Sequence, residues 1–411
     1  MEFQKLLKDY VKLLVRVGLN VQKGQKVVVT SPVDCADIAR LAVEEAYAAG
    51  AKDVIMRWGD DKISRLRYDN ADDSVFNQFE EWTKLMLDTL SKEKAAFLSF
   101  SAADPEALLG VDPDRIMRYQ TAARNALADY QKRSMNNEVQ WTVASVPTEK
   151  WAKKVFPNAT DSKEAIELLW RAIFSSSRVD GNDPAANWEQ HKENLGKRAK
   201  KLNDYQFKTI KMKNSIGTDI EIGMPENHKW ICAGERSRDD VEFLANIPTE
   251  EIFTAPHMNG ANGKVVGSKP LVYNGNLIDG FEVEFKDGLV TSVKAKTNEE
   301  LLKKLVASVP NADRLGEIAL VPFNSPISQS NILFYNTLYD ENASCHLAFG
   351  KAYPSCLKGG ELMSKDELVK SGINDSLEHT DFMFGTADME IKGVCKDGTE
   401  VDIFVDGDFA L

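Results

Sequence analysis

Histidine is scarce in this chain: His191, His228, His257, His346 and His379 are the whole supply. Two of them lie among carboxylates. His346 belongs to Tyr339-Asp-Glu-Asn-Ala-Ser-Cys-His-Leu-Ala-Phe-Gly350, and His379 to Asn374-Asp-Ser-Leu-Glu-His-Thr-Asp-Phe-Met-Phe384. On a strand, His379 and Asp381 share one face while Thr380 and Phe382 take the other. A neutral imidazole converging with a carboxylate is a ligand set for a borderline divalent metal. The spacing alone fits a hydrogen-bonded surface pair equally well. Glu341 and His346 converge only across a bend or a strand irregularity. Cys345 faces away from His346 on a regular strand and reads as a small buried residue.

Two further carboxylates stand in apolar settings. Glu251 lies in Asn246-Ile-Pro-Thr-Glu-Glu-Ile-Phe-Thr-Ala-Pro256, and Glu317 in Arg314-Leu-Gly-Glu-Ile-Ala-Leu-Val-Pro322. Each opens an apolar strand pattern. A carboxylate buried there is costly unless donors or a cation compensate it, and a metal ion is the simplest compensation. An exposed strand mouth is the bland alternative. Glu250 adjoins Glu251, so only one of the two faces a site on that strand.

These residues need a scaffold. In the first half, an amphipathic helix over residues 3–15 precedes the β-branched run Lys26-Val-Val-Val-Thr30. Helix patterns over 36–49, 75–91 and 114–132 alternate with strand patterns over 53–57, 95–100 and 139–144. Such alternation predicts a parallel sheet with helices on both faces. Residues 162–205 are helical in pattern. After residue 205 the texture becomes short strands over 207–212, 219–222, 251–255, 265–266, 281–285 and 290–294, with one helix over 299–307. The steps Asn259-Gly260, Asn262-Gly263, Asn274-Gly275 and Asp287-Gly288 read as hairpin turns. The expected organisation is an N-terminal parallel α/β domain over 1–200. A mainly antiparallel β (α+β) domain over 201–411 carries the metal site.

In order and combination, these landmarks resemble the M29 family of metallo-aminopeptidases, of the aminopeptidase S and T type. The resemblance covers essentially the whole chain. It is carried by Gly217-Thr-Asp-Ile-Glu-Ile-Gly223, the 246–256 segment, Gly316-Glu317, Asp340-Glu-Asn-Ala-Ser-Cys-His346 and His379-Thr-Asp-Phe-Met383. It implies six ligands, Glu251, Glu317, Glu341, His346, His379 and Asp381, for two divalent ions (Zn, Co or Mg), with Glu317 bridging them. It selects Glu251 over Glu250. It also implies an active-site role for Tyr353, in Gly350-Lys-Ala-Tyr-Pro354; packing beside Pro354 is the alternative. The implied activity is hydrolysis of the first peptide bond of peptides with a free α-amine, in a cytoplasmic homodimer. Glu378 departs from the family, which often has a neutral residue there. Glu250 and Glu378 are the candidates for carrying the proton to the leaving amine.

The remaining features narrow the alternatives. A net charge of −12 repels phosphate backbones, so nucleic acid is not an expected partner. The five cysteines are odd in number and include no CxxC pair, which argues against a disulfide framework and a thiolate zinc site. No apolar run is long enough for a signal peptide core or a membrane span. There is no GxGxxG and no Walker loop, so no nucleotide cofactor is expected. A di-metal phosphoester hydrolase and a non-catalytic metal-dependent binding protein are the competing readings.

Overall fold

Three consecutive valines set the first sheet. Val27, Val28 and Val29 are buried in β1 (Lys26–Pro32), which pairs in parallel with β2 (Asp53–Gly59) and with β3 (Ala96–Phe100). β4 (Trp141–Ala144) adds to β3, giving the parallel order β2-β1-β3-β4. Helix α1 (Glu2–Lys12) buries Leu7, Tyr10 and Val11. Helix α2 (Ala36–Ala48) presents Ala39, Ala42 and Ala46 as a buried stripe at helical spacing. The computed structural model describes residues 2–411 except Ala103, Asp180, Asn182 and Asn274. No described helix is long and apolar enough to cross a membrane.

Local chemistry breaks two of the expected helices. Residues 75–91 hold a 3-10 turn, Asp73–Asn77, and then a helix, Glu81–Lys92. Asp72 caps the turn by accepting from Ser74 N, and Gln78 is extended beyond it. The 114–132 segment is two helices, Pro113–Ala126 and Ala128–Met135. An additional helix, Asp61–Asn70, starts where Asp60 accepts from the amides of Lys62 and Ile63.

The chain forms two compact units. One comprises Met1–His191, Gly234–Pro248 and Leu333–Leu338; the other comprises Lys192–Ala233, Thr249–Ile332 and Tyr339–Leu411. In the first, β4 also pairs with the returning segment through Val143 and Asn246.

The second unit is built on antiparallel sheets. One has eight strands, in the order Leu289–Lys294, Glu282–Lys286, Ala261–Val266, Asp219–Gly223, Thr209–Lys213, Glu390–Val394, Glu400–Val405, Asp408–Phe409. Asp287 and Gly288, at φ 50° and 80°, turn one of its hairpins as expected. Asn262-Gly263 is not a turn but lies inside the Ala261–Val266 strand, where a side chain on Gly263 would strike the Asp219 carbonyl. Asn274 of the third expected turn lies outside the described residues. The other sheet has five strands, in the order His379–Met383, His346–Gly350, Leu315–Leu320, Ile252–Thr254, Ile231–Cys232.

The five-stranded sheet is two-faced. Ile318, Leu320, Leu347, Phe349 and Phe382 enter the same core as Ile210, Ile222, Val283 and Phe285 of the eight-stranded sheet. Phe349 stacks on Phe382 with ring centroids 4.3 Å apart. Each such side chain contributes about 1.5–3 kcal/mol on burial, which offsets the cost of carboxylates held on the opposite face.

Candidate metal centre

Strand register assembles the opposite face. Ala319 pairs with His346, and Glu317 pairs with Ala348, which pairs with Asp381; Gly350 pairs with His379. His346, His379, Asp381 and Glu317 therefore come from adjacent strands onto one surface, with alanine and glycine between them leaving room. Phe253 pairs with Ala319, so Glu251, two residues earlier, approaches the same surface.

Glu317 reaches this surface only because its strand is irregular. Leu315 belongs to the core, and on a regular strand a residue two positions on would share its face. The register shifts between Leu315 and Glu317, which is a bulge at Gly316. The bulge leaves Leu315 in the core and turns Glu317 outward. Glu341 and His346 are joined across the 3-10 turn Glu341–Ala343, the bend that their spacing requires.

The side chains form two groups sharing one member. His346 Nε2 lies 3.2 Å from Glu251 Oε2 and 3.6 Å from Glu317 Oε1. His379 Nε2 lies 3.7 Å from Glu317 Oε2 and 3.5 Å from Asp381 Oδ1. Within each group, Glu251–Glu317–His346 and Glu317–His379–Asp381, the potential ligand atoms all fall within 4.8 Å of one another. Glu341 is outside both groups but within electrostatic reach of Asp381, Glu251 and Glu317. The Tyr353 ring meets His379 edge-on at 5.5 Å and Phe253 at 6.0 Å.

Both imidazoles are oriented by main-chain oxygens. His346 Nδ1 lies 3.1 Å from the Ser344 carbonyl, and His379 Nδ1 lies 2.7 Å from the Lys351 carbonyl. A carbonyl can only accept, so each Nδ1 carries a proton and each Nε2 faces the carboxylates, where it becomes a ligand atom once its own proton is displaced. Asp381 Oδ1 is buried and accepts no hydrogen bond. Two directed imidazole nitrogens, converging carboxylates and an unsatisfied buried oxygen fit a divalent cation.

Glu378 is not part of this surface. Its Oε1 accepts from Thr380 Oγ1 at 2.7 Å, on the side of the strand opposite His379 and Asp381. Glu250 is buried beside Glu251, and its amide donates to Asn342 Oδ1 at 2.7 Å. Asn342 also reaches Glu341 Oε1 at 3.4 Å through its amide nitrogen. It has no place among the sequence candidates, because an amide beside an acid carries no distinguishing pattern. Gly316 is also missing from them, although a glycine within an apolar strand is a signal for a bulge.

Without metal, the groups perturb one another. Burial pushes the Glu317 carboxyl up, only partly offset by the nearby His346 imidazole. Burial and the charges of Asp381 and Glu251 push Glu341 well above the usual carboxylate range. Burial pulls His379 down, but Asp381 and Glu317 overcome it and hold the imidazole up to about 10. His346 is likewise lowered by burial, yet Glu251 and Glu317 raise it well above 6.5. Both imidazoles and the raised carboxyls therefore hold protons more tightly in the metal-free site than in water, and a metal must displace what they hold. Calorimetric titration with Zn²⁺ in two buffers of different ionisation enthalpy is expected to show net proton release on loading. An observed heat independent of the buffer would contradict this protonation state.

Comparisons with known proteins point the same way. The family described as thermophilic metalloprotease (M29) matches residues 3–409. Aminopeptidase AmpS of Bacillus subtilis is 44% identical over 409 residues, covering 100% of this chain and 99% of its own. Aminopeptidase 2 of Geobacillus stearothermophilus is 43% identical, covering 100% and 98%. The solved structure of wild-type AmpT from Thermus thermophilus superposes with a TM-score of 0.93 at 35% identity, covering all of both chains.

Proposed function

The chain belongs to the M29 family of thermophilic metalloproteases, and from that premise we propose that it is a metal-dependent aminopeptidase acting on peptides with a free α-amine. Glu251, Glu317, Glu341, His346, His379 and Asp381 hold two divalent ions, zinc, cobalt or magnesium, in this reading. The observation that carries it is the division of Glu317: Oε1 is 3.6 Å from the Nε2 of His346 and Oε2 is 3.7 Å from that of His379. One carboxylate thus serves both groups, the arrangement expected of a bridging ligand.

Ions held by these residues would supply Lewis-acid polarisation of the scissile carbonyl and a bound water acidic enough to ionise near neutral pH. The protein's own groups do the rest. The same surface would hold the free α-amine of the peptide, a group that a blocked or internal residue lacks. Tyr353, packed against His379, donates a hydrogen bond to the substrate carbonyl oxygen as charge develops. The main-chain acceptors of Ser344 and Lys351 keep both imidazoles in their ligating tautomers. The homodimer and the cytoplasmic setting are parts of the same proposal.

Hydrolysis of leucyl- and arginyl-nitroanilide tests the reading. Chelation is expected to lower kcat/KM by at least ~10²-fold and added Zn²⁺, Co²⁺ or Mg²⁺ to restore it, with N-acetyl-leucyl-nitroanilide uncleaved throughout. Metal-dependent cleavage of nitrophenyl phosphate with no cleavage of the free-amine substrates would replace it with the phosphoester reading.

A further inference from the structure

A cavity lies at one end of the five-stranded sheet, beside the ends of the strands that carry the metal-ligating groups. The cavity has a volume of about 240 Å³, and its lining includes Ser268, Lys269, Val321, Ser344, Gly385 and Thr386. At roughly 30 Å³ per water molecule, it has the capacity of roughly eight waters, the bulk of two small amino-acid residues. Ser344 lies two residues before His346 and Val321 two residues after Ala319, so both continue the strands that carry the site.

The position of the cavity can be bounded from the hydrogen bonding. Ser268 N donates to the Met383 carbonyl at 2.9 Å, and Met383 pairs with His346. Two strand spacings of about 4.8 Å then separate the Ser268 backbone from His346, roughly 10 Å. An extended peptide advances ~3.3–3.6 Å per residue, so two or three residues beyond the scissile bond span that distance.

The lining specifies which end of a peptide it takes. Lys269 is the one charged side chain around the cavity, and it makes no ion pair or hydrogen bond among the described residues. Ser268 Oγ is buried and has no hydrogen-bond partner. An unpaired ammonium and an unsatisfied buried hydroxyl in one lining are donors suited to a carboxylate. The metal surface, by contrast, is where the free α-amine lies in the aminopeptidase reading. A short peptide is a zwitterion with its charges at opposite ends, and the two places match those ends.

We propose that the cavity binds the C-terminal carboxylate of short peptides through Lys269 and Ser268, which makes tripeptides and tetrapeptides the preferred substrates. The inference rests on the aminopeptidase reading. Leucyl-nitroanilide has no carboxylate, so its metal-dependent cleavage tests that reading alone.

The experiment compares kcat/KM for Leu-Gly-Gly and its C-terminal amide, expressed as a ratio within each protein. Wild type is expected to favour the free acid about ten-fold, mainly through KM. Lys269→Met should bring the ratio close to one, Lys269→Glu should invert it, and Lys269→Arg should retain it. Ser268→Ala should reduce it. A wild-type ratio of one overturns the proposal, and so does a preference that survives in Lys269→Met. Because the wild-type ratio is decisive by itself, a variant that failed to fold would not leave the question open.

Discussion

Glu317→Gln is expected to abolish most of the activity while making the metal-free protein harder to melt. Glutamine keeps the shape but loses the charge that both groups share. Losing several kcal/mol of transition-state stabilisation at ~1.36 kcal/mol per decade lowers kcat by roughly 10³-fold. The stability change has the opposite sign. Burial raises the Glu317 carboxyl above its ordinary value. A carboxyl raised in the folded state opposes folding wherever the unfolded chain would ionise it, which includes pH 7. The neutral amide removes that penalty. Thermal melts after chelation should place the variant above wild type, and saturating Zn²⁺ should reverse the order by stabilising wild type more. A variant that melts lower than metal-free wild type would mean that Glu317 serves the fold rather than the ion.

Gly316→Ala is expected to damage the site from a position that ligates nothing. A Cβ on Gly316 would fall on the carbonyl oxygens of Lys351 and Gly350. These are backbone atoms, so the strands must part. The Lys351 oxygen accepts the His379 Nδ1 proton, so its displacement turns the imidazole. A shift of ~1 Å at a catalytic group costs about 10²-fold in rate, and overpacking costs about 1–3 kcal/mol of stability. Activity assays and melts of the metal-loaded protein check both. The control is Gly196→Ala, in the helix Pro184–Tyr205, where an added Cβ has nothing within 4 Å. It should raise stability by about 1 kcal/mol and leave the rate alone. Wild-type kinetics in Gly316→Ala would show that the bulge does not aim Glu317.

The parts of this molecule that were legible in its sequence are those written in side chains. Glu341, His346, His379 and Asp381 stood out because histidines and acids gather in two stretches of a histidine-poor chain, Glu251 and Glu317 because they are acids in apolar runs, and the resemblance joined the six. The parallel sheet was legible because β-branched runs such as Lys26–Pro32 alternate with helical patterns. Other features depend on geometry that residue types do not encode. Leu315 and Glu317 have the spacing of one face and occupy two, because Gly316 shifts the register. Asn262-Gly263 has turn chemistry but sits in a strand, where the glycine answers a close backbone contact. The pairing of Val143 with Asn246 joins residues about a hundred positions apart, and local periodicity names no partners. Glu378 stood among the proton-carrying candidates, although the alternation that puts His379 and Asp381 on one face sends the residue before His379 to the other, where it accepts from Thr380.

The groups that orient both imidazoles have a genetic consequence. The acceptors of His346 and His379 are the oxygens of residues 344 and 351, and a codon change replaces a side chain while leaving that oxygen in the polymer. An orienting aspartate can be lost in one mutation; an orienting peptide oxygen cannot. Point mutation reaches these contacts only by moving the backbone, as a bulkier residue at Gly316 does. The tautomers of the two histidines are therefore insulated from drift at the positions that set them, and the vulnerability is transferred to a glycine on the neighbouring strand.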